Sequence, residues 1–101
     1  ISGGENVYPR QVEAVYEEHP DVREIAVVAV PHERWGEVGC AHVVLEPGAA
    51  LDPEALMAWG RERLATFKVP QGFVQASELP KTVTGKIQKF LLPSVGPDDL
   101  A

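Results

Sequence analysis

The residue types and spacing that could do chemistry are concentrated in residues 79–87, which read Leu-Pro-Lys-Thr-Val-Thr-Gly-Lys-Ile. Pro80 and Gly85 predict a tight, exposed loop, and Thr84 stands where it could cap a helix that follows. Lys86 would then lie at a helix N-terminus, where a cation costs roughly 0.3–1 kcal/mol. A lysine in a locally unfavourable place predicts a function for its charge. The segment is not a P-loop, because that pattern continues from its lysine into Ser or Thr.

A second motif stands near the start of the chain, where Gly3 and Gly4 belong to the run Ser-Gly-Gly-Glu-Asn-Val-Tyr-Pro. Adjacent glycines let a backbone approach a ligand closely or take a positive φ. The run does not match the Gly-x-Gly-x-x-Gly pattern of dinucleotide-binding folds. Taken singly, each motif also has an ordinary interpretation: a flexible loop for Gly3 and Gly4, and a solvated loop lysine for Lys86.

Apolar patterns indicate the elements that position these motifs. Val12, Val15 and Tyr16 have the i, i+3, i+4 spacing of a helix with one apolar face. The β-branched run between Pro20 and Pro31 indicates a strand buried on both faces. The predicted elements are a helix at residues 9–18, strands at 22–30 and 37–46, a helix at 53–64, a strand at 72–77 and a short helix at 86–92. We therefore expect an α+β fold with a small, three-stranded, mostly antiparallel sheet and helices packed on it.

Composition excludes several classes of protein. A chain of 101 residues can bury a single core. Its net charge of −6 argues against a nucleic-acid clamp or a polybasic membrane surface. No stretch approaches the roughly 18 apolar residues of a membrane span. The one cysteine, Cys40, excludes an internal disulfide and favours a reducing compartment, for which we predict the cytoplasm.

The chain begins with Ile1 rather than Met and has no signal-like apolar run, so we expect a segment of a longer protein. We expect residues 1–93 to form its C-terminal domain. The remaining residues, 94–101, are predicted to be a frayed tail.

Four motifs occur in order along the chain: Gly-Gly-Glu-Asn-Val-Tyr-Pro, Ala-Val-Pro-His-x-x-Trp-Gly-Glu, Phe-Lys-Val-Pro and Leu-Pro-Lys-Thr-x-Thr-Gly-Lys-Ile. Together they resemble the C-terminal domain of the adenylate-forming enzymes, which include acyl-CoA synthetases, firefly luciferase and nonribosomal peptide adenylation domains. The resemblance covers residues 1–93. The first motif is most similar to that of fatty or aryl acid:CoA ligases.

The resemblance implies a two-step reaction. A carboxylic acid attacks the α-phosphate of ATP in the presence of Mg²⁺, giving an acyl-adenylate and pyrophosphate, and the thiol of CoA then displaces AMP. It also implies that residues 1–93 are a mobile lid that works with an N-terminal domain of the same chain. That domain would bind most of the ATP and Mg²⁺, so the isolated fragment is expected to be inactive.

The resemblance also implies roles for single residues. Lys86 matches the adenylation lysine, a compact charge on a flexible stem that suits electrostatic positioning rather than proton transfer. The residues that match CoA-contacting positions are Gly3, Gly4, Trp35, Phe67 and Lys68. Trp35 packed on the sheet, Phe67 in the core and a solvated Lys68 remain alternatives. Lysines at the Lys86 position are acetylated in some relatives, which implies a lysine acetyltransferase as a further partner.

Cys40 and His42 lie two residues apart on a predicted strand. Two ligands are too few for a zinc site, so we predict core residues and no metal. Three other functions remain open: an adenylation domain that loads the phosphopantetheine of a carrier protein, a luciferase-like oxygenase, and a binding or assembly module without catalysis.

Overall fold

A computed structural model describes residues 8–95 of the chain. In this range the elements are α1 (Pro9–Tyr16), β1 (Val22–His32), β2 (Gly36–Leu45), α2 (Pro53–Arg61), a 3₁₀ helix (Thr66–Lys68), β3 (Gly72–Gln75) and a second 3₁₀ helix (Lys89–Leu91). Asp52 caps α2, because its carboxylate accepts a hydrogen bond from the Ala55 N–H at 3.1 Å. Across residues 8–95, no helix is long and apolar enough to cross a membrane.

The three strands form one sheet in the order β1-β2-β3. The short turn after His32 makes β1 and β2 antiparallel, with Val27 opposite Ala41. β3 runs parallel to β2, because the connection through α2 returns the chain to the end of the sheet at which β2 began. The α+β class is confirmed, with one antiparallel and one parallel pair of strands.

One face of the sheet carries the main core, against which both helices pack. Tyr16 of α1 is fully buried there, and its hydroxyl donates a hydrogen bond to the Leu56 carbonyl of α2 at 2.7 Å. Burial raises the pKa of Tyr16 to about 12, against a smaller opposing effect of Arg61. This core contains Val12, Tyr16, Val22, Ile25, Val27, Ala41, Val43, Leu56, Met57, Leu64, Val69 and Phe73.

The opposite face of the sheet is covered by the C-terminal part of the described chain. Ala26, Val44 and Leu79 are buried there, and Ile87 and Leu92 pack against them. This second cluster brings residues 79–92 across the sheet. It therefore holds the segment that contains Lys86 against β1 and β2.

Two features differ from the sequence-based expectations for β1. The strand continues through Pro31 to His32, beyond its predicted end at residue 30, and this is tolerated because a proline can lie in an edge strand. Burial on both faces is wrong for its second half, in which Ala29 and Pro31 are exposed. β1 is an edge strand, whereas the central β2 is buried from Val38 to Val44.

The predicted helix at residues 86–92 is wrong. Only Lys89–Leu91 is helical, as a single 3₁₀ turn. Lys81 and Ile87 instead form an antiparallel bridge, and the Gln88 N–H donates to the Pro80 carbonyl at 2.8 Å. These hydrogen bonds between the two arms of the segment take the backbone groups that a helix would have used, so the segment is a hairpin.

Candidate functional site

The segment that contains Lys86 is a tight hairpin over residues 80–88. The Thr82 N–H donates to the Lys86 carbonyl at 2.8 Å, and the Gly85 N–H donates to the Thr82 carbonyl at 2.9 Å. The Thr82 hydroxyl accepts from the Lys86 N–H at 3.1 Å, which closes the loop from the other side. Gly85 has φ +91°, a conformation that glycine adopts without strain. With the bond from the Gln88 N–H to the Pro80 carbonyl, four hydrogen bonds therefore define the backbone that presents Lys86.

Lys86 does not begin a helix, contrary to the expectation from sequence. Lys86 precedes the 3₁₀ turn by three residues and does not lie at a helix N-terminus, so the predicted unfavourable dipole is absent. Its side chain is exposed, and no ion pair among residues 8–95 uses its charge. The ammonium is thus available to a ligand. This availability, and not an unfavourable helix dipole, makes Lys86 a candidate site residue.

Lys86 lies on the wall of an open cleft of about 780 Å³ between α1 and the hairpin. The cleft is lined by Arg10, Glu13, Ala14, Glu17, Ile25, Thr82, Gly85, Lys86, Ile87, Gln88, Lys89 and Phe90. Three of these side chains are cationic and two are anionic. A cation aimed into such a cleft can stabilise negative charge on a molecule that enters it.

Ion pairs anchor the chain on both sides of the hairpin, one to β1 and the other to α1. Before the turn, Lys81 lies 2.5 Å from the carboxylate of Glu24 on β1. After the turn, Lys89 lies 2.7 Å from Glu13 of α1 and donates to the Val27 carbonyl at 2.8 Å. Neither of these ion pairs could be inferred from the sequence pattern. Only Glu13 had a detectable signal: it flanks the buried stripe of α1, where a charge implies a partner.

Phe67 and Lys68 lie together on the first 3₁₀ helix. Lys68 Nζ donates to Gln11 Oε1 at 2.9 Å and lies 4.6 Å from the centre of the Tyr8 ring. Phe67 is 39% exposed, so the alternative that placed it in the core is wrong. Lys68 is half-buried and partnered rather than freely solvated. An exposed aromatic ring beside a cation could contact an anionic aromatic ligand.

Trp35 lies at the turn between β1 and β2 and is 44% exposed. The Arg34 guanidinium lies 4.9 Å from the centre of its ring. The turn is organised by His32, whose Nδ1 accepts from the N–H groups of Arg34 and Trp35 at 3.1 and 3.2 Å. None of Trp35, Phe67 and Lys68 lines the cleft that contains Lys86.

Two other sequence-based expectations concern the glycine pair and the core. Gly3 and Gly4 lie outside the described residues, so their predicted contact with CoA stays a prediction. Cys40 and His42 are buried in the middle of β2, as expected of core residues. Within residues 8–95, no three His, Cys, Asp or Glu side chains are grouped so that they could hold a metal ion.

Comparison with known proteins identifies the family of the chain. Residues 11–86 match the family described as the AMP-binding enzyme C-terminal domain. The chain is 52% identical over 87 residues to 2-succinylbenzoate–CoA ligase of Geobacillus kaustophilus, an alignment that covers 86% of this chain and 18% of the relative.

Solved structures give the same result. A fatty acyl-CoA synthetase of Mycobacterium tuberculosis superposes with a TM-score of 0.83 at 40% identity, over 90% of this chain and 18% of the other. The amide bond synthetase McbA of Marinactinospora thermotolerans superposes with a TM-score of 0.79 at 47% identity, over 84% of this chain and 17% of the other. The chain thus spans only about a fifth of these relatives, between 17% and 18% of their length. On the match to residues 11–86 and this identity, the chain belongs to the family of AMP-binding enzyme C-terminal domains.

Proposed function

We propose that the chain is the mobile C-terminal lid of an AMP-forming ligase that joins a fatty or aryl carboxylic acid to CoA. In the first step the acid attacks the α-phosphate of ATP, which forms an acyl-adenylate and releases pyrophosphate. In the second step the CoA thiol attacks the acyl carbonyl and AMP leaves. Residues 1–93 constitute the lid, residues 94–101 its tail, and an N-terminal domain of the same chain supplies the remaining site.

The observation that supports this proposal most directly is an exposed lysine, free of ion pairs within residues 8–95, on a hairpin at the wall of a cleft. Adenylation brings a carboxylate and a phosphate together, so negative charge accumulates between them. An ammonium about 4 Å away stabilises that charge by about 4 kcal/mol at an effective dielectric constant near 20. Lys86 supplies this charge and is not required to move a proton.

The second step uses other parts of the lid. Trp35, Phe67 and Lys68 are the proposed CoA contacts, with the aromatic rings against adenine and the ammonium against a phosphate. Gly3 and Gly4 are proposed to leave room for the pantetheine arm. Since none of the three described residues shares the cleft with Lys86, a lid that rotates between the two steps would present each group in turn.

Within residues 8–95, no group of His, Cys, Asp or Glu side chains is suited to hold Mg²⁺. We assign Mg²⁺, with most contacts to ATP, to the N-terminal domain. The cytoplasm is the proposed compartment, in keeping with a single, buried cysteine thiol at Cys40. The exposure of Lys86 also makes it accessible to a lysine acetyltransferase, and acetylation would remove the charge on which adenylation depends.

The decisive experiment compares Lys86→Ala with Lys86→Arg in the complete protein. Pyrophosphate release measures adenylation, and thioester formation from supplied acyl-adenylate measures the second step. Loss of a stabilisation of about 4 kcal/mol predicts that Lys86→Ala slows adenylation about 1000-fold. The thioester step should be nearly unchanged, and Lys86→Arg should retain more adenylation than Lys86→Ala. An equal loss in both steps would refute the proposal.

A second candidate keeps the adenylation step but replaces CoA with an amine. It is favoured by the 47% identity to an amide bond synthetase, which differs from a CoA ligase in the acceptor. Supplying the acyl-adenylate with free CoA, with an amine or with a carrier protein distinguishes the acceptors. Faster consumption with CoA supports the first proposal, and faster consumption with either other acceptor contradicts it.

A further inference from the structure

A closed ring of contacts joins α1, β1 and the segment that follows Lys86. Glu13 Oε2 accepts a hydrogen bond from the Val27 N–H at 2.8 Å and lies 2.7 Å from Lys89 Nζ. Lys89 Nζ in turn donates to the Val27 carbonyl at 2.8 Å. One carboxylate and one ammonium therefore satisfy both backbone groups of a single residue.

The ring is possible because β1 is an edge strand. Every second residue of an edge strand directs its N–H and C=O away from the sheet, where they need other partners. Val27 is such a residue, and its partners come from α1 on one side and from the C-terminal segment on the other. The Glu13 side chain is only 13% exposed, so water competes weakly for its contacts.

The ring also restricts where Lys86 can be. Only Ile87 and Gln88 separate Lys86 from Lys89, and both are held: Ile87 pairs with Lys81, and the Gln88 N–H donates to Pro80. A shift of Lys89 along β1 would therefore be transmitted to the base of the hairpin. Glu13 and Lys89 also line the same cleft as Lys86, so they act next to the proposed reacting groups.

The ion pair between Lys81 and Glu24 is the weaker of the two that anchor the hairpin. In the Lys81–Glu24 pair the two side chains are 37% and 28% exposed, against 36% and 13% for Lys89 and Glu13. Within residues 8–95, no backbone group of β1 forms a hydrogen bond with either side chain of that pair. Exposed ion pairs contribute little, so the position of the hairpin should depend mainly on Glu13 and Lys89.

We propose that Glu13 and Lys89 are positioning residues for adenylation: they fix the hairpin against Val27 and so set the place of the Lys86 ammonium. This inference rests on the proposed function of Lys86. A displacement of about 1 Å at a reacting group can cost about 100-fold in rate. Neither residue needs to touch the substrate for its loss to slow the first step.

The test uses the complete protein and compares Glu13→Gln, Lys89→Met and Lys89→Arg with a matched control, Glu62→Gln. Glu62 forms an exposed ion pair with Arg63 that lies outside the cleft lining. For each variant, kcat and KM of pyrophosphate release, the rate of thioester formation from supplied acyl-adenylate and the thermal unfolding midpoint are measured. Glu13→Gln keeps the shape of the side chain and its acceptor for Val27, so it should fold even if Lys89→Met does not.

We expect Glu13→Gln and Lys89→Met to lower the kcat of adenylation about 10- to 100-fold, with little change in KM and in the thioester step. Lys89→Arg should restore most of the rate, because arginine keeps the charge and the donors. Glu62→Gln should match the unmodified protein in both steps.

Two results separate failure of this inference from failure of the proposed function. The positioning role would be overturned if Glu13→Gln and Lys89→Met slowed both steps equally. It would also be overturned if Glu13→Gln left adenylation unchanged while Lys86→Ala slowed it. Either result would leave the role of Lys86 intact. Unchanged adenylation in Lys86→Ala would overturn the proposed function and this inference with it.

Discussion

Replacing Gly60 with alanine tests how tightly the two helices pack. A Cβ atom at Gly60 would overlap the hydroxyl of Tyr16 and lie 2.9 Å from its Cζ atom. Tyr16 is fully buried and anchored by its 2.7 Å hydrogen bond to the Leu56 carbonyl, so its ring cannot move away without breaking that bond. Gly60→Ala therefore both crowds this core and displaces the Tyr16 hydroxyl from its hydrogen bond.

The expected cost follows from opposing effects. Overpacking of a filled core costs about 1–3 kcal/mol. Breaking the buried hydrogen bond adds about 1 kcal/mol, and the better helix propensity of alanine returns up to about 1 kcal/mol. The net destabilisation by Gly60→Ala should be about 1–3 kcal/mol. Tyr16→Phe alone should cost about 1 kcal/mol, because it removes the hydroxyl and no carbon atom.

The two substitutions should not be additive. In the Tyr16→Phe background the overlapping hydroxyl is gone and the ring is no longer anchored, so Gly60→Ala should cost at least about 1 kcal/mol less than in the unmodified chain. Urea unfolding of the four chains measures this difference. Trp59 is a suitable fluorescent probe, since its ring centre lies 5.4 Å from that of Tyr16. Additivity within about 0.5 kcal/mol, with unchanged m-values, would refute this account of the packing.

The remaining predictions concern pH and the hairpin glycine. Burial raises the pKa of Tyr16 to about 12 from 10.0, so between these pH values the folded chain keeps a proton that the unfolded chain releases. The contribution of the neutral Tyr16 to the free energy of unfolding is therefore fully present below pH 10. It should fall by roughly 2–3 kcal/mol as the pH rises from 10 through 12. Urea unfolding on either side of pH 10 should show this loss in the unmodified chain and not in Tyr16→Phe. Gly85→Ala and Gly48→Ala should each lower the free energy of unfolding by roughly 1–2 kcal/mol, because φ is +91° and +87° at these positions. Nothing lies within 4 Å of either Cβ position, so the cost comes from the backbone conformation and not from overlap. Only Gly85→Ala should also slow adenylation in the complete protein, and equal activity of the two variants would contradict a role for the turn in presenting Lys86.

The local elements were predictable because their determinants are close in sequence. Val12 and Tyr16 mark the buried face of α1 by their spacing, and Asp52 followed by Pro53 marks the start of α2. The antiparallel pairing of β1 with β2 follows from the short turn between them. Lys86 was identified by its motif, although the local argument attached to it was wrong.

The hairpin itself was not predictable from local pattern. Thr84 suggested a helix cap, but the side chain and backbone of Thr82 bind Lys86 instead. The antiparallel pairing of Ile87 with Lys81 then competes with the helix that local propensity favoured. Such contacts depend on Ile87 being pulled onto the second core cluster, which involves residues of both β1 and β2.

By itself the sequence determined the class of fold, the starts of α1 and α2, the two antiparallel strands and the identity of the conspicuous lysine, because all of these depend on patterns of residues a few positions apart. Tertiary structure alone decided the parallel place of β3, the cleft between α1 and the hairpin, and the ring of Glu13, Val27 and Lys89. The physical reason is distance along the chain: Lys89 and Val27 are 62 residues apart, and their contact exists only after the core has brought an edge strand and the C-terminal segment together.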